Sequence, residues 1–259
     1  MIPRIFHRLH LGPGKVHRQT LEWDAKLLEL NPGWELRYWR PDDLPPMRNA
    51  ALYELCLNLG HRADIARYEL LYAVGGVYLD WDMQPLQKVP DLDGIAAFAG
   101  RVRPFEYHGI TIETEIAILG SEAGHPFFNY LLENLTPWAV LNMGRDPALR
   151  TGPHFFHTML EEWESLNPDL TENKGGVKRY PPPVFYPIIP RERGDVWQPH
   201  HGSIMVHHFW TTWLIGAGKM YVPEEKAREM LRKLLASSTP AMSSTVTPTP
   251  TGSRESLPV

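Results

Sequence analysis

The sequence is short of three things. It has a single cysteine, Cys56, so no intramolecular disulfide can form, and a reducing, cytoplasmic setting is the expectation. It has no apolar run near the roughly 18 uncharged residues that a membrane-spanning helix needs, and its opening, MIPRIFHRLHLG, is charged where a secretory leader would be apolar. It also has no excess of basic charge: 26 Lys and Arg stand against 30 Asp and Glu, a net charge of -4. A nucleic-acid partner held by phosphate neutralisation is therefore not expected.

What is present is an ordinary globular chain of 259 residues, 43% apolar and 22% charged. Apolar residues recur at spacings of three and four over 16–30 and predict a helix, stopped by Asn31-Pro32-Gly33. Residues 34–39 alternate as a strand. Helices are expected over 50–59 and 61–74, the latter closed by Gly75-Gly76. Strands follow at 77–82, 95–98 and 114–119, helices at 127–135 and 155–163, strands at 184–188 and 203–209, and a last helix at 224–235. The alternation points to an α/β layered fold. Ser, Thr and Pro make up 15 of the last 23 residues, too little apolar surface to offset ordering. One domain over 1–236 and a disordered tail over 237–259 are expected, with no internal repeat.

The chemistry concentrates in GGVYLDWDMQPL, residues 75–86. Alternation puts Val77, Leu79 and Trp81 on one face of a strand and Tyr78, Asp80 and Asp82 on the other. At ~3.3 Å per residue the two carboxylates stand about 6.6 Å apart. Ligand sites in open α/β sheets lie at such strand ends. Hard oxygen donors suit Mg2+ or Mn2+ carrying a phosphate; left alone, the acids are solvated groups at a turn. The preceding helix carries Asp64 and Arg67 at i and i+3, beside His61 and Tyr68. They are either a surface ion pair worth little or a polar cluster facing a hydroxyl-rich ligand.

The stretch RADIARYELLYAVGGVYLDWDMQPL resembles the DXD sugar-binding signature of glycosyltransferase family 32, related to the catalytic domains of glucosylating toxins and of mannosyltransferases. IPRIFHRLHLG, NPGWELRYW, HPF at 125–127, TGP at 151–153 and HHFWTTW at 207–213 resemble further blocks of that family. The resemblance implies a Rossmann-like nucleotide-sugar-binding fold of the GT-A type. It implies a retaining hexosyltransferase that uses a UDP- or GDP-hexose, Mn2+ or Mg2+, and a glycan, lipid or protein hydroxyl as acceptor. By the same resemblance Asp82 is a direct metal ligand and Asp80 contacts the ribose or sugar and the metal. Asp64 and Arg67 hold sugar hydroxyls, with Arg67 close to the diphosphate, and Tyr78 lines the nucleotide site. His208, preferred over His207 by its spacing to Trp213, is a further metal ligand, and Thr211 and Trp213 close over the diphosphate. His200 and His201 read as solvated loop residues.

Two positions depart from the family pattern. His10 stands where a base-stacking Trp is usual, which bears on the base. Glu115 stands where relatives often carry an Asn near the sugar, and is either a specificity residue or a strand-edge one. Two other readings compete. One is a phosphohydrolase of the haloacid dehalogenase type, whose motif differs at Gln84. The other is a non-catalytic sugar-binding protein of the same fold.

Overall fold

A computed structural model describes residues 1–12, 16–188 and 202–210. The expected helix over 224–235, the Ser/Thr/Pro-rich tail, His200, His201, Thr211 and Trp213 lie outside these residues.

The described chain runs β1 (Ile5–Leu9), α1 (Arg18–Leu30), β2 (Glu35–Trp39), α2 (Ala50–Leu55), α3 (Leu59–Val74), β3 (Gly76–Leu79), β4 (Met83–Pro85), β5 (Ala97–Tyr107) and β6 (Ile110–Ser121). It continues through α4 (Pro126–Leu141), α5 (Pro147–Arg150), α6 (Pro153–Leu166), β7 (Val177–Tyr180), α7 (Pro182–Phe185) and β8 (Met205–His207). Six strands form a mixed sheet in the order β2-β1-β3-β6-β5-β7, and β4 pairs with β8. The β1–β2, β1–β3 and β5–β7 pairs are parallel, and β3–β6 and β5–β6 are antiparallel. No described helix is long and apolar enough to cross a membrane.

The sheet carries a core on each face, as the period-two alternation of its strands requires. Tyr78, Ala97, Ala99 and Leu119 pack with α3, α4 and α6. Phe6, Val77, Leu79, Phe98 and Ile118 pack with Leu27 of α1 and with Phe185 and Tyr186. α3 is therefore not a surface helix: His61, Asp64, Ile65, Ala66, Arg67, Tyr68, Glu69, Leu70 and Leu71 are all buried. Asn58 caps it by accepting from the Gly60 N–H at 2.7 Å, so Gly60 sits in its first turn rather than ending the helix before it. Gly76, which follows the helix, has φ +97°, and a Cβ there would meet His7 Nε2 at 2.4 Å. Only glycine lets the chain turn from α3 into β3 so close to β1.

Three sequence expectations change. β3 ends at Leu79, and Asp80, Trp81 and Asp82 lie in the turn into β4; Trp81 does not continue the Val77–Leu79 face. Residues 182–185 form a helical turn where a strand was expected over 184–188. The strand expected at 95–98 is one arm of a long hairpin that runs to Tyr107 and returns from Ile110.

Candidate active site

The turn after β3 is built by residues distant in sequence. The Met83 N–H donates to Asp80 O at 3.0 Å. From β1, the Arg8 guanidinium donates to the same Asp80 carbonyl. Asp24 of α1 holds Arg8 in place, accepting from Nε at 2.9 Å and from a terminal nitrogen at 2.5 Å, and Tyr38 OH donates to the other Asp24 oxygen at 2.7 Å. Thr20 Oγ1 donates to Trp81 O at 2.9 Å, and Trp81 Nε1 donates to Leu9 O at 2.6 Å. Arg8 is fully buried, and its pairing with Asp24 offsets the cost of burying a charge. The turn that carries both acids is thus fastened to β1 and α1.

That turn brings Asp80 and Asp82 together with His207 of β8. One ligand atom from each lies within 4.8 Å of the others, closer than an extended strand would hold two carboxylates. His207 Nε2 lies 3.3 Å from Asp82 Oδ1. Trp210 N–H donates to Asp82 Oδ2 at 2.7 Å, and His208 N–H to Asp82 O at 3.0 Å. Burial pushes the Asp82 carboxyl up, but the His207 ring and the Trp210 N–H outweigh it and hold it well below the usual carboxylate range. Burial likewise opposes charge on His207, and the Asp82 carboxylate outweighs it, so its pKa is raised. His207 Nδ1 is buried and meets no hydrogen-bond partner among the described residues.

The structure gathers His207, and not the expected His208, with the two acids. β4 and β8 pair with Met83 opposite His207 and Gln84 opposite Val206. Continued one step, that register sets His208 opposite Asp82, but Asp82 lies in the turn and its carboxylate meets His207, while the His208 ring keeps to the Gln84 side of the strand. There its Nε2 lies 2.8 Å from Gln84 Oε1 and its ring stacks on Trp23 at 5.0 Å.

Arg67 joins the acids to α3. One terminal nitrogen lies 3.1 Å from Asp64 Oδ1 and 3.2 Å from Asp80 Oδ1. The other donates to Ile116 O at 2.8 Å, and the guanidinium lies over the Tyr78 ring at 4.5 Å. Tyr78 OH donates to Asp80 Oδ1 at 2.6 Å. Asp64 and Arg67 are thus a buried, doubly used pair, and the surface ion pair is excluded. Burial pushes the Asp64 carboxyl up to about 7, against the pull of Arg67 and of the Thr151 hydroxyl; the one guanidinium is shared between two carboxylates. Thr151 Oγ1 donates to Asp64 Oδ2 at 2.7 Å and lies 3.0 Å from His61 Nδ1.

These groups floor a cleft of about 420 Å³. Asp64, Arg67, Tyr78, Asp80, Asp82, Glu115 and His207 line it together with His10, Trp81 and Trp210. His10 meets Trp81 edge-on at 5.7 Å. The walls are apolar, with Leu11, Leu59 and Ala63 on one side and Phe105, Tyr107 and Ile112 of the β5–β6 hairpin also lining it. The arrangement offers a cation-binding floor, a guanidinium beside it, and apolar walls for flat groups. Sequence reading ranks His207 behind His208 and misses the Arg8–Asp24 support and the Thr151 hydroxyl. The block TGP at 151–153 was the one signal pointing to Thr151.

Residues 25–99, which contain Asp64, Arg67, Tyr78, Asp80 and Asp82, match the glycosyltransferase sugar-binding region containing the DXD motif. An uncharacterized glycosyltransferase of Acanthamoeba polyphaga mimivirus is 25% identical over 176 residues, covering 65% of this chain and 68% of that protein. Inositol phosphoceramide mannosyltransferase 3 of Schizosaccharomyces pombe is 34% identical over 176 residues, covering 64% of this chain and 46% of that protein. The chain therefore spans less than half of the S. pombe relative. The solved structure of the PaToxG glycosyltransferase superposes with a TM-score of 0.52 at 15% identity, covering 65% of this chain and 74% of that one. A likeness at that identity speaks to the fold, which is the expected GT-A type and not that of a haloacid dehalogenase. The motif match and the relatives agree: residues 25–99 carry a DXD-containing glycosyltransferase sugar-binding region, and the chain is similar to glycosyltransferases over about two thirds of its length.

Proposed function

We propose that the chain is a metal-dependent, retaining hexosyltransferase that takes its sugar from a UDP- or GDP-hexose and delivers it to a hydroxyl of a glycan, lipid or protein. The carrying observation is the Asp80–Asp82–His207 cluster, within 4.8 Å, on the floor of a cleft that also holds Arg67.

The donor set fits a divalent cation. Two carboxylates and an imidazole suit Mn2+ or Mg2+. The buried, unpartnered His207 Nδ1 is a polar atom that a ligand or ion would satisfy. The electrostatics support the same reading: four acids line the cleft against Arg67 and the imidazoles of His10 and His207. A nucleoside diphosphate, itself anionic, is repelled by such a floor unless a cation accompanies it. The chemistry such an ion supplies is neutralisation of charge on a leaving diphosphate.

The chain's own residues supply position. Arg67, held by Asp64, Asp80 and Ile116 O, is preorganised to meet phosphate or sugar oxygens without reorganising. Asp64, Asp80 and Glu115 offer carboxylate oxygens to hydroxyls. Trp81, His10 and Leu11 offer surfaces for a base. Thr211 and Trp213 close over the diphosphate, as the family resemblance implies, and retention at the anomeric carbon rests on the same resemblance. Because the S. pombe relative is a mannosyltransferase by name, mannose leads the hexoses to be tried.

The test is donor hydrolysis. Purified protein with UDP-glucose, UDP-galactose, UDP-N-acetylglucosamine and GDP-mannose should release sugar from one of them with Mn2+ present, and stop on chelation. Undiminished hydrolysis in EDTA overturns the metal assignment, and no turnover of any donor counts against the transferase reading.

A further inference from the structure

The turn between β3 and β4 is held by its carbonyl oxygens. Asp80 O accepts from Arg8 and from the Met83 N–H, Trp81 O from Thr20 Oγ1, Asp82 O from the His208 N–H, and Met83 O from Arg8 at 3.5 Å. Arg8 thus holds both ends of the turn. It does not line the cleft, so it acts on the site through the backbone alone. A peptide plane with its carbonyl fixed also fixes the directions in which the neighbouring side chains leave the chain. Arg8 in this way sets the direction of the Asp80 carboxylate, and of Asp82 between its two contacts.

Holding the turn takes a guanidinium that is itself held. No part of Arg8 is exposed, and Asp24 is 3% exposed. Arg8 Nε and one terminal nitrogen donate to Asp24 Oδ1, that same nitrogen reaches Met83 O, and the other terminal nitrogen donates to Asp80 O. Tyr38 OH steadies the second Asp24 oxygen, and the Tyr38 ring stacks on Trp81 at 5.9 Å. A buried ion pair contributes little to stability beyond what apolar residues of the same volume would. Pairing with one carboxylate does not need a guanidinium either, since an ammonium can do it. The planar fork is needed to reach a carboxylate on one side and two carbonyls on the other at once.

We propose that Arg8 is a positioning residue for a divalent cation: fixed by Asp24 and Tyr38, it holds the carbonyls of Asp80 and Met83 so that the Asp80 and Asp82 carboxylates converge with His207. The assignment rests on the metal-dependent reading of the cleft. Arg8 itself touches neither the ion nor the donor. Without its hold the two acids still follow β3, but their mutual repulsion is free to turn them apart. An entering ion then has to order the turn as it binds, which lowers its affinity.

The test separates ion binding from folding and from chemistry. Mn2+ alone is titrated into wild type, Arg8→Lys and Tyr38→Phe, and the free ion is followed by its electron paramagnetic resonance signal. Melting temperatures are taken without metal, and the Mn2+ dependence of donor hydrolysis is measured on the same preparations. Arg8→Lys keeps a buried cation beside Asp24 but not the fork. It should melt close to wild type and bind Mn2+ about tenfold or more weakly, as when an outer support of a metal ligand is lost. Tyr38→Phe keeps the ring on Trp81 and removes a hydroxyl from a residue that is 41% exposed. It should fold as wild type does and weaken Mn2+ about two- to threefold, part of one hydrogen bond. Saturating Mn2+ should bring hydrolysis by both variants within about threefold of wild type, because Arg8 meets no reacting group. Wild-type Mn2+ affinity in Arg8→Lys, or a rate that saturating Mn2+ does not restore, would overturn the assignment. If Arg8→Lys does not fold, Tyr38→Phe decides, and unchanged Mn2+ affinity there overturns it. If wild type binds no Mn2+, the metal reading of the cleft fails and takes the assignment with it, an outcome distinct from variants that match a metal-binding wild type.

Discussion

His207 Nε2 stands 3.3 Å from Asp82 Oδ1, joining the turn after β3 to a strand more than a hundred residues later. The position of Asp82 in the turn, outside the β4–β8 ladder, decides this pairing, and the two adjacent histidines take different neighbours. His207→Ala should cost at least about 100-fold in metal-dependent donor hydrolysis and raise the Mn2+ concentration needed for half-maximal rate, since even residues that merely support metal ligands cost 10- to 100-fold. His208→Gln should stay within about threefold, because its ring meets Gln84 and Trp23 and is outside the Asp80–Asp82–His207 cluster. A metal titration of both variants decides, and the reverse ranking would return the ligand role to His208.

Arg67 does two things at once, and its replacement should show both. The guanidinium is 4% exposed and lies within 3.2 Å of two carboxylates. Arg67→Ala leaves Asp64 and Asp80 without their cation, so stability should fall by about 3–5 kcal/mol, as when one partner of a buried pair is removed. The kcat/KM for donor hydrolysis should fall by 100-fold or so, roughly the ~2.7 kcal/mol lower bound for losing one preorganised donor. Arg67→Lys should recover part of the stability but little of the rate, because a point charge cannot serve Ile116 O, two carboxylates and a ligand together. Urea unfolding and steady-state kinetics on the same preparations separate the two losses.

Thr151 anchors the far side of the cleft. Its hydroxyl donates to Asp64 and lies 3.0 Å from His61 Nδ1, and Tyr68 OH donates to its carbonyl at 2.9 Å. Thr151→Val removes only the hydroxyl and strands two buried polar groups, so a loss of about 1–3 kcal/mol is expected. Thr151→Ser keeps the hydroxyl and should recover most of it. Denaturant midpoints at constant slope give the answer, and equal stability of all three proteins would show that the hydroxyl is dispensable.

How far these features could be read in advance follows from their range in sequence. The run from Asp64 to Asp82 was legible because helix, glycine turn, strand and acids are contiguous, and each local rule points the same way. Which histidine joins the acids was not, because a strand's alternation says only that His207 and His208 face apart, and Asp82 sits in the turn, where neither alternation nor register says which ring its carboxylate meets. Arg8 and Asp24 looked like ordinary charges on a strand and a helix, and only tertiary contact makes them the support of the turn. The hairpin over 97–121 read as two short strands because Arg101, Arg103 and Glu106 break the apolar pattern of an arm exposed along much of its length. Pro181-Pro182-Pro183 opens a helical turn, since proline's fixed φ suits a first turn, and this outweighs the apolar residues after it that alone read as a strand.

His7 supplies a prediction about pH. Trp39 Nε1 donates to His7 Nδ1 at 3.0 Å, so Nε2 carries the proton and donates to Gly75 O at 2.7 Å. Both nitrogens are thereby committed to the neutral ring, and a second proton at Nδ1 would face the indole N–H. Burial is the main cause of a pKa lowered to about 4, against the pull of the Gly75 carbonyl. The unfolded chain takes up its proton near pH 6.5. Between these values the unfolded state binds more protons than the folded one, so stability rises with pH across the window and is lost on acidification. From pH 7 to pH 5 the expected contribution of His7 is a loss of about 2 kcal/mol, 1.36 kcal/mol for each unit below 6.5. Other buried groups titrate over the same range, so the measurement is a difference. Urea unfolding free energies of wild type and His7→Gln are compared at the two pH values. His7→Gln should be less stable at pH 7, having lost a fitted ring, yet its change between pH 7 and pH 5 should be more favourable than that of wild type by about 2 kcal/mol. Parallel pH dependence in the two proteins would show that His7 accepts a proton in the folded state.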